Sequence, residues 1–229
     1  MYIKQFFEPK SCTYSYLLMC EESKEALIID PVQCDLDKYI NEIKSINAHL
    51  KYICETHIHA DHITASYLLK TLTQAKSIVH KNTEAKCAEI FITDGDQFYL
   101  GEISIHALAT PGHTNACTSY YVKGYVFTGD TLLINGCGRT DFQEGCAEQL
   151  YESVYNKLFT LPDDTIVYPA HDYKGKLSSN IGYEKKNNSR LALHIKKDQF
   201  IQIMNHLDLR YPSQIDQALP ANKLCGKTP

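Results

Sequence analysis

The stretch numbered 56–62 reads Thr56-His57-Ile58-His59-Ala60-Asp61-His62, and it decides the fold. Three imidazoles and a carboxylate fall between His57 and His62. His57 and His59, two apart on an extended segment, point to the same side. We expect Asp61 and His62 to begin a helix over residues 61–76 and to face the same space. Four side chains that can bind a metal ion then converge on one cleft.

The alternative is that this stretch binds no metal. Asp61 would then only cap the helix, and the histidines would be ordinary surface residues. Repulsion between protonated imidazoles disfavours such a cluster unless a cation keeps the rings neutral. Metal binding is therefore the preferred interpretation.

Three further metal-binding side chains each follow a strand-like segment. His113 comes after residues 103–109, Asp130 after residues 125–128, and His171 after residues 165–168. Strands give rigid support to ligands on the loops that follow them. Taken singly, a Pro-Gly-His turn or a Gly-Asp cap is a weak signal. As an ordered set after the histidine-rich motif, the three predict one metal centre.

This ordered set, His57-x-His59-x-Asp61-His62 followed by His113, Asp130 and His171, resembles the metallo-β-lactamase superfamily over most of the chain. Within that superfamily the sequence is most similar to the persulfide dioxygenases. Four groups of residues carry the narrower resemblance: Phe7-Glu8-Pro9 with Ser11-Cys12-Thr13, Gly136-Cys137-Gly138-Arg139-Thr140-Asp141-Phe142-Gln143, Pro169-Ala170-His171-Asp172-Tyr173, and Pro220-Ala221-Asn222. The related hydroxyacylglutathione hydrolases share the Cys-Gly-Arg but typically not the Thr-Asp-Phe-Gln.

The resemblance implies an α/β fold of layered α+β type, the four-layer αββα sandwich of metallo-β-lactamases. It also implies one Fe²⁺ held by His57, His113 and Asp130, with open positions for substrate and dioxygen. Glutathione persulfide would be oxidised by O2 to sulfite and glutathione. No side chain is assigned as a general base. Four residues would then orient the ligands or shape the pocket: His59, Asp61, His62 and His171.

The same seven positions permit a second metal chemistry. Two Zn²⁺ ions could bind, one to His57, His59 and His113 and the other to Asp61, His62 and His171. Asp130 would bridge the ions, and the pair would activate water for thioester hydrolysis. Because both families share these ligands, only the flanking motifs favour the single iron. A homologue that binds metal without turnover is a third possibility.

Recognition of the glutathione part is assigned to three residues that match the resemblance. Arg139 can offer a bidentate fork to a carboxylate, and Tyr173, two residues past His171, can offer a hydroxyl at the mouth of the cleft. Thr114 could reach substrate, or it could cap the turn after His113. Arg139 could equally form a structural ion pair with Asp141 or Asp172. Cys137 is interpreted as a packing residue, although Arg139 nearby could favour a thiolate.

Composition favours a single domain over residues 1–229. A chain of 229 residues that is 44% hydrophobic can bury a substantial core. A net charge of −4 argues against nucleic acid, and no apolar run is long enough for a membrane helix. The first residues resemble a strand rather than a signal or transit peptide. Nine cysteines without a Cys-x-x-Cys pair argue against a disulfide framework and favour a reducing, cytoplasmic location.

Hydrophobic periodicity predicts two strand-rich halves. Strands are expected at 14–20, 26–30, 50–55, 97–109, 118–122, 125–128 and 165–168. Helices are expected at 35–46, 61–76, 147–158 and 196–207. A homodimer is expected from the resemblance alone.

Overall fold

The computed structural model describes residues 1–227. Two units account for the chain, and each has its own core. Of the described residues, unit 1 contains 1–92, 97–105 and 211–227, and unit 2 contains 93–96 and 106–210. The single domain expected over residues 1–229 stays a prediction.

The first sheet lies wholly in unit 1 and has six strands in sequence order. The first three strands are antiparallel neighbours and the last three add in parallel. The strands are β1 (Tyr2–Glu8), β2 (Thr13–Met19), β3 (Glu25–Ile29), β4 (His49–Cys54), β5 (Lys76–His80) and β6 (Ile90–Ile92). Every residue of β2 is buried, as expected for a strand covered on both faces.

Two helices pack on this sheet through their apolar faces. They are α1 (Leu36–Ser45) and α2 (Ser66–Thr73). Tyr39 and Ile43 of α1 and Leu69 of α2 join the core that contains Leu17 and Ile28 of the sheet. The spacing of four residues between Tyr39 and Ile43 is the helical pattern that the sequence shows.

The second sheet has the strand order β12-β11-β10-β9-β8-β7. Neighbours with a defined register are antiparallel except β10 and β11, which run parallel. The strands are β7 (Gln97–Leu100), β8 (Ile103–Ala109), β9 (Thr118–Val122), β10 (Tyr125–Gly129), β11 (Ile166–Pro169) and β12 (Ser179–Asn180). The predicted strands of this region are present, with the range 97–109 divided into β7 and β8.

Three helices of unit 2 and one of unit 1 complete the set of α-helices. They are α3 (Ala147–Asn156), α4 (Ile181–Asn187), α5 (Lys197–Asn205) and α6 (Ile215–Asn222). Leu150 and Val154 of α3 pack with Phe200 and Met204 of α5 in the core of unit 2. Helix α6 belongs to unit 1, and the sequence did not predict it. No helix among residues 1–227 combines the length and apolar character needed to span a bilayer.

The helix predicted over residues 61–76 was wrong at both ends. The Ile63 carbonyl accepts from Gln33 N at 2.8 Å, and Ala65 N donates to the Pro31 carbonyl at 2.8 Å. These contacts use backbone groups that a first helical turn would need, so the helix begins only at Ser66. It ends before Gln74, whose φ is 63°. Asp61 and His62 therefore lie on an irregular loop.

The sequence argued against a disulfide framework, whereas the structure contains a disulfide between Cys87 and Cys225. The two cysteines are 138 residues apart in sequence. Cysteine spacing reveals only short pairs such as Cys-x-x-Cys, and no local pattern shows that the segment after α6 returns to the first part of the chain. The other seven cysteines form no disulfide.

Candidate metal centre

In unit 1 the loop between β4 and α2 gathers the histidines of the motif. The ring centroids of His57 and His59 are 4.0 Å apart, and those of His59 and His62 are 4.3 Å apart. All three side chains are buried. The three rings therefore pack against one another at tilted angles, away from solvent.

A hydrogen-bond chain fixes the tautomer of His57. Thr56 Oγ1 donates to Asp30 Oδ2 at 2.8 Å, so this hydroxyl has only lone pairs left for His57 Nδ1 at 3.0 Å. His57 Nδ1 therefore carries the proton and Nε2 keeps its lone pair. A metal-binding histidine needs this state, with its other nitrogen hydrogen-bonded to a neighbour.

His62 is oriented by Thr13, the first residue of β2, and by Asp61. His62 Nδ1 lies 3.1 Å from Asp61 Oδ2 and 3.3 Å from Thr13 Oγ1, and Thr13 Oγ1 also donates to Asp61 Oδ2 at 3.0 Å. Thr13 is the last residue of the Ser11-Cys12-Thr13 motif, so the structure gives that motif a role that the sequence alone did not. Among the described residues, the buried His62 Nε2 has no hydrogen-bond partner.

Two buried carboxyl groups lie behind this loop. His59 Nε2 is 3.0 Å from Asp30 Oδ1 and 3.7 Å from Glu55 Oε2. Burial raises the pKa of Asp30. Burial, reinforced by the neighbouring Asp30 carboxyl, raises the pKa of Glu55 to about 8. Neither acid was chosen from the sequence, where each is only the acidic residue at a strand end.

Asn222, in α6, holds the loop from a distant part of the sequence. Its side-chain amide donates to the carbonyls of His59 and His62, each at 2.8 Å, and its carbonyl oxygen accepts from Thr64 N at 2.9 Å. The side chain is buried. This contact explains the Pro220-Ala221-Asn222 motif, for which the sequence suggested no function.

In unit 2 the three predicted ligands, each of which follows a strand, lie close together. His113 Nε2 lies 3.5 Å from Asp130 Oδ2, and His171 Nε2 lies 3.6 Å from Asp130 Oδ1. His113 Nδ1 is 2.6 Å from the Arg139 carbonyl, which can only accept, so Nδ1 is protonated and Nε2 is the nitrogen that carries the lone pair. The geometry presents two imidazole nitrogens around one carboxylate.

Gly138 allows this close approach. A Cβ at position 138 would lie 2.6 Å from the Asp130 carbonyl oxygen and 2.9 Å from His113 Nδ1. Gly138 N also donates to the Asp130 carbonyl at 2.7 Å. The backbone of the Gly-Cys-Gly-Arg motif therefore supports two predicted ligands, Asp130 and His113. Within it, burial raises the pKa of Cys137 to about 11, which supports the packing interpretation of that thiol.

Most N–H groups of the Arg139 guanidinium already donate hydrogen bonds within unit 2. Its Nε and Nη2 donate to the two carboxylate oxygens of Asp141 at 2.6 and 2.7 Å, and its Nη1 donates to the Arg210 carbonyl at 2.8 Å. The guanidinium also lies over the Phe142 ring, 4.5 Å from its centroid. The structural ion pair with Asp141 is thus present. Two of the five N–H groups remain for another acceptor.

The other two residues assigned to substrate differ in exposure. Tyr173 is 72% exposed and stacks on His171 with ring centroids 5.9 Å apart. Asp172 accepts from Lys174 N and Lys176 N, both at 2.8 Å, which shapes the loop that carries Tyr173. Thr114 is buried, and its hydroxyl accepts from Ala116 N at 3.3 Å. That contact is the turn cap expected as the alternative role of Thr114.

The donor chemistry of both units fits a transition-metal ion. Protonated Nδ1 atoms on His57 and His113 leave Nε2 lone pairs, which suit iron or zinc, and Asp130 supplies a hard oxygen. The group of His59, Asp61 and His62 in unit 1 has donor atoms within 4.8 Å of one another. The buried nitrogen of His62 noted above is a further donor of this kind.

Comparisons with known proteins first establish the class. Residues 12–171 match the family pattern of the metallo-β-lactamase superfamily. The α/β class and the metallo-β-lactamase fold expected from the sequence are confirmed.

Closer relatives establish the family. Mitochondrial persulfide dioxygenase ETHE1 of Homo sapiens is 46% identical over 98% of this chain and 88% of its own length. The crystal structure of ETHE1 from Myxococcus xanthus matches with a TM-score of 0.97 and 45% identity, covering 99% of this chain and all of its own. A cytoplasmic hydroxyacylglutathione hydrolase of Arabidopsis thaliana is 34% identical over 91% of this chain and 82% of its own length. The chain belongs to the persulfide dioxygenase family of the metallo-β-lactamase superfamily.

Proposed function

We propose that this protein is an iron-dependent dioxygenase that oxidises glutathione persulfide with O2. The observation that carries the proposal is the near-full-length identity to persulfide dioxygenases, together with histidine tautomers suited to metal binding. One persulfide, one O2 and one water would give one glutathione, one sulfite and two protons. The terminal sulfur is oxidised and dioxygen is reduced.

His57, His113 and Asp130 would hold one Fe²⁺ through two imidazole nitrogens and one carboxylate oxygen. When bound, iron would supply the redox chemistry that lets a persulfide react with dioxygen. The chain's own contribution is orientation. Thr56 and the Arg139 carbonyl keep the Nδ1 protons in place, so each Nε2 stays available as a lone-pair donor.

The remaining motif residues would support this triad rather than bind a second ion. His59, Asp61, His62 and His171 are proposed to shape the cleft and to orient the ligands. Asp61 and Thr13 already orient the His62 ring through its Nδ1. The Asp30 carboxyl, 3.0 Å from His59 Nε2, would hold that ring in orientation.

Substrate recognition is proposed to use Arg139, Tyr173 and Thr114. The two N–H groups of Arg139 outside its contacts with Asp141 and Arg210 could reach a glutathione carboxylate. Asp141 would then hold the guanidinium in orientation. Tyr173 would contribute its exposed ring and hydroxyl, and Thr114 would act mainly by fixing the turn beside His113.

The competing function is thioester hydrolysis at two Zn²⁺ ions. The experiment uses protein loaded with iron or with zinc, and measures oxygen uptake, sulfite release and hydrolysis of S-lactoylglutathione. We expect about one iron per chain, oxygen uptake in proportion to glutathione persulfide, and little hydrolysis. Efficient hydrolysis without oxygen uptake would establish the thioesterase instead. Metal binding with neither activity would indicate a non-catalytic homologue.

The role of Arg139 is tested separately. Arg139→Ala should raise the apparent KM for glutathione persulfide about tenfold or more and leave iron content near the wild-type value. Asp141→Asn is the matched variant, because it keeps the guanidinium and removes only its charged partner. Unchanged KM in Arg139→Ala would remove the recognition role and leave the reaction class intact.

Location and assembly are proposed from the sequence. We propose a cytoplasmic protein that forms a homodimer and acts on a small thiol persulfide, without nucleic acid or membrane partners. Seven of the nine cysteines lie outside the disulfide, which supports a reducing compartment. Cell fractionation and light scattering of the purified protein would test location and assembly.

A further inference from the structure

The disulfide of unit 1 joins two segments with different accessibility. Cys225 is buried, whereas Cys87 is partly exposed and lines an open groove. Cys225 follows α6, and Cys87 lies between β5 and β6. A solvent thiol can therefore approach Cys87 more easily than Cys225.

The surface around Cys87 is basic. Its groove also contains Lys70 and Lys227, and a neighbouring groove is lined by Lys86 and Lys223. Lys70 Nζ donates to the Cys87 carbonyl at 2.6 Å, which places this ammonium group beside the disulfide. Two acidic residues face these lysines: Glu89 pairs with Lys70, and Glu84 pairs with Lys223. Positive charge is therefore in excess.

We propose that the Cys87–Cys225 pair is a thiol–disulfide exchange site for small anionic thiols such as glutathione. The groove supplies attraction for carboxylates, and Cys87 supplies the accessible electrophilic sulfur. This site is separate from the proposed oxidation of persulfide and does not depend on it. Its redox state follows the balance between small thiols and their disulfides.

The exchange takes place in two balanced steps. A thiolate attacks the Cys87 sulfur, the Cys87–Cys225 bond breaks, and Cys225 leaves with the electron pair and takes a proton from solvent. A second thiolate then attacks the small-thiol sulfur of the mixed disulfide, which releases Cys87 as a thiolate. The protein disulfide is reduced by two electrons, and two small thiols are oxidised to one disulfide.

The bond also connects to the loop that carries the predicted metal ligands. Tyr67 N donates to the Cys225 carbonyl at 2.8 Å, and Asn222 holds the loop three residues earlier. A Cβ on Gly226 would lie 1.9 Å from the Thr64 carbonyl oxygen. Because these contacts do not involve sulfur, opening the disulfide should loosen this segment without releasing it.

Redox titration tests whether the site exists. Protein equilibrated in glutathione buffers is denatured in the presence of the alkylating reagent, so that buried thiols also react, and is mapped by mass spectrometry. We expect seven alkylated cysteines at the oxidised end, nine at the reduced end, and a linked Cys87–Cys225 peptide only in the former. Absence of that linked peptide at every ratio would overturn the proposal.

The rate at which a small thiol opens the Cys87–Cys225 disulfide then tests the preference for anionic thiols. At equal thiolate concentration and low salt, glutathione should open the bond several-fold faster than the cationic thiol cysteamine, and high salt should remove the difference. The variant Lys86→Gln/Lys227→Gln should lose most of that preference. Lys123→Gln, in the turn between β9 and β10, is the matched control and should keep it. Equal rates for both thiols in the wild-type protein would contradict the proposal.

The mixed disulfide can be trapped in a variant that has no resolving partner. In Cys225→Ser, oxidised glutathione should label Cys87 faster than the exposed Cys34, which serves as an internal control. Cys87→Ser should show no such labelling of the buried Cys225. Preferential labelling of Cys34 would show that Cys87 has no special affinity for the thiol and would overturn the assignment.

Discussion

The two groups of predicted ligands are supported in different ways. In unit 2, His113, Asp130 and His171 each follow a strand and are held by nearby backbone, as when the Arg139 carbonyl accepts from His113. In unit 1, the motif loop depends on Asp30 and on Asn222, which lies 163 residues after His59. Short-range support can be inferred from a sequence, whereas long-range support requires the structure.

The largest expected effect comes from removing a ligand of unit 2. Asp130→Ala should abolish iron binding, because the variant loses the carboxylate that lies between His113 and His171. His113→Ala should do the same. His62→Ala should keep most of the iron if one ion binds. Iron and zinc content by elemental analysis is the measurement, and loss of one of two metals in His62→Ala would favour the binuclear site.

The next effect tests the backbone support of unit 2. Gly138→Ala places a methyl group against the Asp130 carbonyl oxygen at 2.6 Å, so the strand end must shift. We expect a loss of about 2–4 kcal/mol in the free energy of unfolding, together with weaker metal binding. Gly136→Ala is the matched control, since a Cβ there meets no atom within 4 Å. Equal stability of the two variants in urea denaturation would contradict the supporting role of Gly138.

A smaller effect is expected from the distant support of unit 1. Asn222→Ala removes three hydrogen bonds and leaves the His59 and His62 carbonyls without this donor. The expected cost is about 2–3 kcal/mol, because buried groups lose their partners. Hydrogen exchange at Thr64 N should rise more than exchange in β9. Unchanged exchange at Thr64 would mean that the loop keeps its conformation without Asn222.

The smallest effect concerns the acid behind the loop. In metal-free protein, the pKa of Glu55 is raised to about 8, so the folded state keeps a proton that the unfolded state releases above its ordinary pKa of 4.5. Stability from this group is complete below about 4.5 and is lost as the pH rises through about 8. Glu55→Gln should flatten that decline, because the amide does not ionise. An identical pH profile of urea midpoints in the variant would refute the shifted pKa.

Sequence periodicity predicted most strands and three of the helices because their apolar spacing is local. It placed His113, Asp130 and His171 correctly after strands for the same reason. It failed for residues 61–65, where Pro31 and Gln33 take the backbone groups that a helix would need. Nothing within a few residues of Asp61 indicates that competition. The role of Asn222 depends on hydrogen bonds to residues 158 to 163 positions away, which no local pattern around it can indicate.

The contacts of Asn222 also impose an order on biosynthesis. A chain emerging from the ribosome presents the histidine-rich loop long before α6, since His62 precedes Asn222 by 160 residues. Until α6 has been made, the His59 and His62 carbonyls and Thr64 N lack the partner that Asn222 provides. All strands and predicted ligands of unit 2 precede α6 in sequence. Unit 2 can therefore fold before α6 has been synthesised and has joined unit 1. The histidine-rich loop is synthesised early but is therefore among the last parts of the protein to reach its final conformation.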